Sequence, residues 1–173
     1  MADQDGCCCS CGSDCCAPAK EKKKIIIDFL FLDLSICTRC QGTENALDEA
    51  ISDVEVVLNA AGYEVVVNKI HVDTKELAIQ HKFESSPTIR VNGKDIDVEV
   101  KESLCDCCGD LCGDNVDCRV WTYQGQEYTI PPKALIVNAI LAEVYGGGAP
   151  VQEKEYILPK NLEAFYEAMD KKK

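Results

Sequence analysis

Ile25-Ile26-Ile27-Asp28-Phe29-Leu30-Phe31-Leu32-Asp33-Leu34-Ser35-Ile36-Cys37-Thr38-Arg39-Cys40 is the stretch on which the reading of this chain turns. From Ile25 to Leu34 only Asp28 and Asp33 interrupt a run of β-branched, aromatic and leucine residues. Such a run predicts a strand buried on both faces, as in a mostly parallel sheet. Beyond Thr43 the period changes: Leu47, Ile51, Val54, Leu58 and Ala61 recur at three- and four-residue steps, with Glu44, Asp48, Glu49, Asp53 and Glu55 mainly on the other side. That pattern is an amphipathic helix, stopped by Gly62. Cys37 and Cys40 therefore stand where a buried strand passes into a helix.

Outward from this unit, Tyr63 to Val72 reads as a second buried strand. Asp73 to Lys82 reads as a short helix capped by Asp73 or Thr74. Ser85-Ser86-Pro87-Thr88-Ile89-Arg90-Val91 is a strand entered through a proline, and Asn92-Gly93 turns it into a returning strand over Lys94 to Val100. Leu104 to Cys118 shows no regular period and reads as a cysteine-rich insertion. Arg119–Tyr123 and Gln126–Ile130 suit a hairpin about Gln124-Gly125, on which Trp121, Tyr123 and Tyr128 pack a sheet face. A helix opens at Pro131-Pro132 and ends at Gly146-Gly147-Gly148. The predicted organisation is a cysteine-rich flexible segment and charged linker over 1–23, an α/β domain over 24–148 with its insertion at 104–118, and a charged tail over 149–173 with one short helix near Leu162 to Met169.

The first two strands, joined through a helix, should be parallel by a right-handed crossover. The Asn92-Gly93 hairpin adds an antiparallel edge, so the expected sheet is central, mixed and flanked by helices.

The chain of 173 residues carries a net charge of −12. Nucleic acid and anionic membrane surfaces would repel it and are not expected partners. The acidic start, Met1 to Gly6, lacks the basic and apolar regions of a secretory signal, and no run approaches the length of a membrane span, so a cytoplasmic location is expected. Thirteen cysteines in a cytoplasmic chain point to metal or redox chemistry before structural disulfides.

Those cysteines form three groups: Cys7, Cys8, Cys9, Cys11, Cys15 and Cys16; Cys37 and Cys40; and Cys105, Cys107, Cys108, Cys112 and Cys118. A thiolate at a helix start is favoured by unpaired amides, and Arg39 adds positive charge between the two sulfurs. Cys37 can then attack a disulfide and Cys40, on the same helix side, can resolve it. The alternative is that the pair ligates a metal, which needs two more ligands that the insertion contains. The insertion cysteines suit a four-thiolate zinc site of non-standard spacing, a second exchanging dithiol, or a soft-metal site. Asp106, Asp110, Asp114 and Asp117 resemble a calcium loop in composition, but the cysteines and a missing terminal Glu argue against one. The N-terminal group suits Cu(I), Zn(II), Hg(II) or As(III), or a buffer of reactive thiols. His71, in an apolar strand, and His81, near a helix end, read as structural.

The element order, with Cys37-Thr38-Arg39-Cys40 at the first strand–helix junction and Ser86-Pro87-Thr88 before the third strand, resembles the thioredoxin superfamily. It lacks the Trp-Cys-Gly-Pro-Cys of thioredoxin itself and resembles a poorly characterised prokaryotic branch. The likeness covers about residues 24–100 and 131–146. It implies that Cys37 is the nucleophile, Cys40 the resolving thiol, Pro87 cis beside them, and the Ser86 backbone with Thr88 a place for an extended substrate. Asp28 resembles the family's acidic strand position but stands nine residues before Cys37, and the insertion is foreign to the common fold. Two functions follow. One is a thiol–disulfide oxidoreductase without cofactor, acting on a protein or small-molecule disulfide with a separate reductant. The other is a carrier in which the cysteine groups bind zinc, copper, arsenic or mercury.

Overall fold

The opening apolar run forms β1 (Lys23–Phe31), which lies inside a four-stranded sheet of order β2-β1-β3-β4. These are the coordinates of a computed structural model, which describes residues 20–113, 115–148, 150–151 and 153–173. The N-terminal group of six cysteines, Cys7 to Cys16, and Asp114 lie outside the described residues.

β2 (Tyr63–His71) runs parallel to β1 with Ile27 opposite Val67. α1 (Thr38–Ala60) supplies the crossover that a parallel pair requires. On the other side β3 (Thr88–Val91) is antiparallel, with Ile27 opposite Val91, and turns at Asn92-Gly93 into β4 (Lys94–Asp95). Both turn residues have positive φ, which Asn and Gly adopt at low cost. The chain is thus mixed α/β, with a mixed sheet flanked by helices, as expected.

Three local differences matter. β1 is not buried on both faces throughout: Ile26 is exposed and Asp28 is half-buried, its carboxylate accepting from Asn68 Nδ2 at 2.8 Å. α1 starts five residues before the periodic signal, because Cys40 and Thr43 extend the buried stripe of Leu47, Ala50, Val54 and Leu58. The returning strand is only two residues long, because the chain leaves the first sheet to build another.

That second sheet holds β5 (Lys101–Leu104), β6 (Asp117–Tyr123) and β7 (Gln126–Tyr128), in the order β5-β6-β7. α3 (Asp106–Cys112) bridges β5 and β6, so the insertion is a strand–helix–strand unit rather than an irregular loop. Arg119 joins the two sheets. Its backbone N–H donates to the Ser86 carbonyl at 2.8 Å, and its buried guanidinium grips the Asp95 carboxylate with two bonds of 2.7 and 2.8 Å. The same group donates to Asp97 O and Thr88 Oγ1 and lies 4.4 Å from the Trp121 ring centre. Paired on this scale, a buried charge is tolerated; alone it would be strongly destabilising.

α2 (Lys75–Gln80) is capped by Thr74 Oγ1, which accepts from Leu77 N–H. α4 (Lys133–Tyr145) packs beside α1, where Lys133 pairs with Asp53 at 2.7 Å. The charged tail carries its expected helix as α5 (Lys160–Lys171), and Leu162, Phe165 and Tyr166 of that helix are buried in the core. Tyr166 Oη donates to Val72 O, and Asn161 exchanges hydrogen bonds with the Asp117 backbone, so α5 also braces the insertion. Among the described residues no helix is long and apolar enough to cross a membrane.

Candidate metal centre

The loop before α1 is fixed by one carboxylate. Asp33 accepts from the Ile36 N–H at 2.7 Å, the Cys37 N–H at 3.4 Å and the Ser35 hydroxyl at 2.9 Å. Gln41 Nε2 donates back to the Leu34 and Ser35 carbonyls. Held this way, Cys37 becomes the N-cap of α1, and its sulfur accepts from the Cys40 N–H at 3.4 Å. A sulfur here does what an Asp or Ser oxygen usually does at a helix start: it satisfies an otherwise unpaired amide.

The insertion arrives from the other side. Arg39 Nη1 donates to Ser103 Oγ at 2.9 Å and to the Ser103 and Cys118 carbonyls at 3.3 Å, while Nη2 donates to Leu104 O at 2.9 Å. Arg39 was expected to place a charge between Cys37 and Cys40. Its donors instead go to the backbone flanking Cys105 and to Cys118 itself. Within the insertion, Cys105 N–H donates to Val116 O at 2.8 Å, closing the base of the α3 unit. Cys105 occupies the N-cap of α3 but makes no capping bond through its side chain.

The outcome is a cluster. One sulfur each from Cys37, Cys105, Cys108 and Cys118 lies within 4.8 Å of the others, and all four residues are buried. The Cys108 and Cys118 sulfurs are 3.5 Å apart. A tetrahedral centre with metal–sulfur bonds of about 2.3 Å has sulfurs roughly 3.8 Å apart, so shifts of about 1 Å or less, with the Cys108–Cys118 pair opening slightly, close this set around one ion. The donor chemistry fits as well: four thiols and no carboxylate or imidazole select soft, thiophilic ions over calcium or magnesium. These four cysteines could hold a metal ion.

The thiols differ in acidity. Hydrogen bonds from Cys108, Cys118 and Cys40 hold the Cys37 thiol far below its ordinary value, against the effect of burial. Cys118 is pushed up by its hydrogen bonds to Cys108 and Cys37 and by burial. For Cys108 the bond with Cys118 works downward, but the bond to Cys37 and burial prevail and push it up. Cys40 is raised by its hydrogen bond to Cys37 and by burial. The Cys37 thiol is thus shifted in the opposite direction from those of Cys40, Cys108 and Cys118.

Among the described residues the other cysteines, Cys40, Cys107 and Cys112, stand apart from this set. Cys40 is fully buried, with its sulfur 3.4 Å from Ser86 Oγ. Cys107 is half-buried, its sulfur 3.7 Å from Thr38 Oγ1, and Cys112 is buried with its sulfur facing Gly109 O at 4.0 Å. The sequence put all five insertion cysteines forward as ligands; the cluster takes Cys105, Cys108 and Cys118 and adds Cys37. One signal could have found α3. Cys105, Cys108 and Cys112 are spaced three and four apart, a helical stripe once cysteine is counted as a small apolar residue.

The Ser86–Pro87 peptide is cis, as the likeness implied. The expected substrate positions are occupied by the chain itself. Ser86 and Thr88 are buried; the Ser86 carbonyl accepts from Arg119 N–H, and Thr88 Oγ1 donates to Ser85 O while accepting from Arg119. Ser86 Oγ accepts from Leu32 N–H at 3.0 Å. His71 has its Nε2 2.8 Å from Leu32 O and stacks on Phe31, and the His81 carbonyl accepts from Arg90; neither histidine joins the cysteine cluster. Sequence reasoning missed Arg119, the pivot of this region, because nothing in the local pattern of Asp117–Tyr123 marks a buried arginine.

No curated protein and no solved structure matches the chain. A family described as "Domain of unknown function (DUF2703)" matches residues 25–140, a span that holds all four clustered cysteines. The chain belongs to the DUF2703 family.

Proposed function

We propose that this protein is a thioredoxin-like domain adapted to bind a soft metal or metalloid ion through Cys37, Cys105, Cys108 and Cys118. The observation that carries the reading is the convergence of four buried sulfurs within 4.8 Å, drawn from a helix cap, a short helix and a strand. The fold assignment is supported by the parallel β1–β2 pair joined through α1 and the antiparallel β3–β4 edge. A bound divalent ion supplies the charge that lets the remaining thiols ionise together. Arg39 and the Asp33 loop hold the two halves of the site in register. With four thiolates no coordination position is left open, which favours storage, transfer or structural stabilisation over Lewis-acid catalysis.

Titration of the anaerobic, reduced chain, with Cys7, Cys8, Cys9, Cys11, Cys15 and Cys16 replaced by serine, with Co(II) tests this. Intense thiolate-to-cobalt absorption with tetrahedral d–d bands is expected, reversed by one equivalent of Zn(II) and lost in Cys118→Ser. Weak, octahedral-type absorption would contradict the proposal.

A second reading, thiol–disulfide exchange through Cys37 and Cys40, is favoured by one observation: the lowered Cys37 thiol sits beside a raised Cys40 thiol. Against it, both sulfurs are fully buried and the Ser86 carbonyl is already paired. Reduction of a protein or small-molecule disulfide that disappears in Cys37→Ser would support this reading.

A further inference from the structure

Cys37 belongs to two groups at once. It is one of the four clustered sulfurs, and it is also the near neighbour of Cys40, whose backbone N–H donates to it at 3.4 Å. Cys40 is not a member of the cluster, is fully buried, and stands three residues along the same helix. On a helix that spacing puts two side chains on one face. Cys40 thus stands beside one of the four clustered sulfurs without belonging to the cluster.

We propose that Cys40 makes the metal centre redox-releasable: oxidation joins Cys37 to Cys40, withdraws one ligand, and frees the ion. This rests on the metal-binding reading above. The oxidant is a small hydroperoxide. The Cys37 thiolate attacks one peroxide oxygen, forming a sulfenic acid and releasing hydroxide. The Cys40 thiol then attacks the Cys37 sulfur, forming the S–S bond and releasing water. Two electrons pass from the two sulfurs to the peroxide, and the Cys40 proton leaves in the water.

Three thiols then remain, Cys105, Cys108 and Cys118, on the insertion side. They lack the sulfur that α1 contributed, and protons replace the metal on them. An open cleft lined by Cys105, Asp106, Gly109 and Asp110 reaches this side of the site, with carboxylates suited to a departing cation. A disulfide reductant reverses the cycle by restoring both thiols.

The direct rival is a Cys108–Cys118 disulfide, since those sulfurs are already 3.5 Å apart. Peptide mapping separates the two. The test uses the full chain with Cys7, Cys8, Cys9, Cys11, Cys15 and Cys16 replaced by serine, so that zinc reports on the buried site alone. The zinc-loaded protein is treated with hydrogen peroxide, and released zinc, disulfide position and rebinding after reduction are followed together.

The expected result is one zinc released per Cys37–Cys40 disulfide, recovered on reduction. In Cys40→Ser, thiol-reversible release should fall roughly tenfold or more, because Cys37 is then driven to sulfinic acid. Cys107→Ser is the control and should release zinc as the parent does. Zinc retained under peroxide, or lost with a Cys108–Cys118 bond and free Cys40, overturns the inference while leaving the metal site intact. A protein that binds no zinc before peroxide is added overturns the metal-binding reading, and this inference with it.

Discussion

Arg39 Nη1 stands 2.9 Å from Ser103 Oγ, a bond between the first turn of α1 and the last strand residues before the insertion helix. The same guanidinium reaches the Leu104 and Cys118 carbonyls, so one side chain ties the first turn of α1, capped by Cys37, to Cys118 and to the residue before Cys105. Positioning groups around a metal commonly alter affinity by about 10–100-fold when lost, and that is the effect expected here. Competition titration with a chromophoric zinc chelator should show Arg39→Ala weakened by this factor. Arg39→Lys should not restore it, because a single ammonium cannot reproduce the planar fork of donors.

The Arg119–Asp95 pair predicts a stability effect independent of metal. Arg119 is fully buried and Asp95 accepts two of its bonds. Asp95→Ala leaves that guanidinium without its countercharge, and a loss of about 3 kcal/mol is expected. Urea unfolding of the reduced, metal-free protein measures it, with Lys133→Ala, whose exposed pair with Asp53 should matter little, as the comparison.

Removing metal should loosen one part of the fold more than the rest. α3 is seven residues long, contains Gly109, and buries chiefly Cys108 and Cys112. Such a helix is too short to persist on its own propensity. Amide exchange should therefore rise in 105–113 after chelation, while β1 and the centre of α1 remain protected. Equal protection with and without zinc would count against a metal that joins α3 to α1.

α5 supplies a prediction about the C-terminal segment. Phe165 and Tyr166 are almost fully buried, and Tyr166 Oη donates to Val72 O at 2.9 Å. Phe165→Ala should destabilise the protein by about 3–5 kcal/mol. Tyr166→Phe should cost about 1 kcal/mol, the ordinary contribution of one hydrogen bond. Thermal unfolding of the two variants under identical reducing conditions checks the ranking.

Much of the first sheet was legible in the sequence, because period and turn chemistry are local signals. The run from Ile25, the three- and four-residue steps after Thr43, and Asn92-Gly93 each point to one element, and those elements are present. The insertion was not legible in the same way. Its helix buries cysteines rather than leucines, and β5 is paired by β6, a partner more than ten residues away across α3. The short helix near Leu162 to Met169 was legible as α5, but its burial was not, because its charges outnumber its core residues, although Leu162, Phe165 and Tyr166 lie on one side. The site itself was half legible. Cys37 and the three insertion ligands were all put forward, but which four would meet depends on Arg39 and Arg119, whose partners are distant in sequence.

The central claim is that four cysteine sulfurs, one from the N-cap of α1 and three from the insertion, surround a single ion. Zinc K-edge X-ray absorption tests it most directly, using the chain with the six N-terminal cysteines replaced by serine and loaded with one equivalent of zinc. A first shell of four sulfurs at about 2.3 Å, with zinc no longer retained at near-stoichiometric level in Cys37→Ser, is the result predicted. A shell of nitrogen and oxygen ligands, or one unchanged by Cys37→Ser, would contradict it.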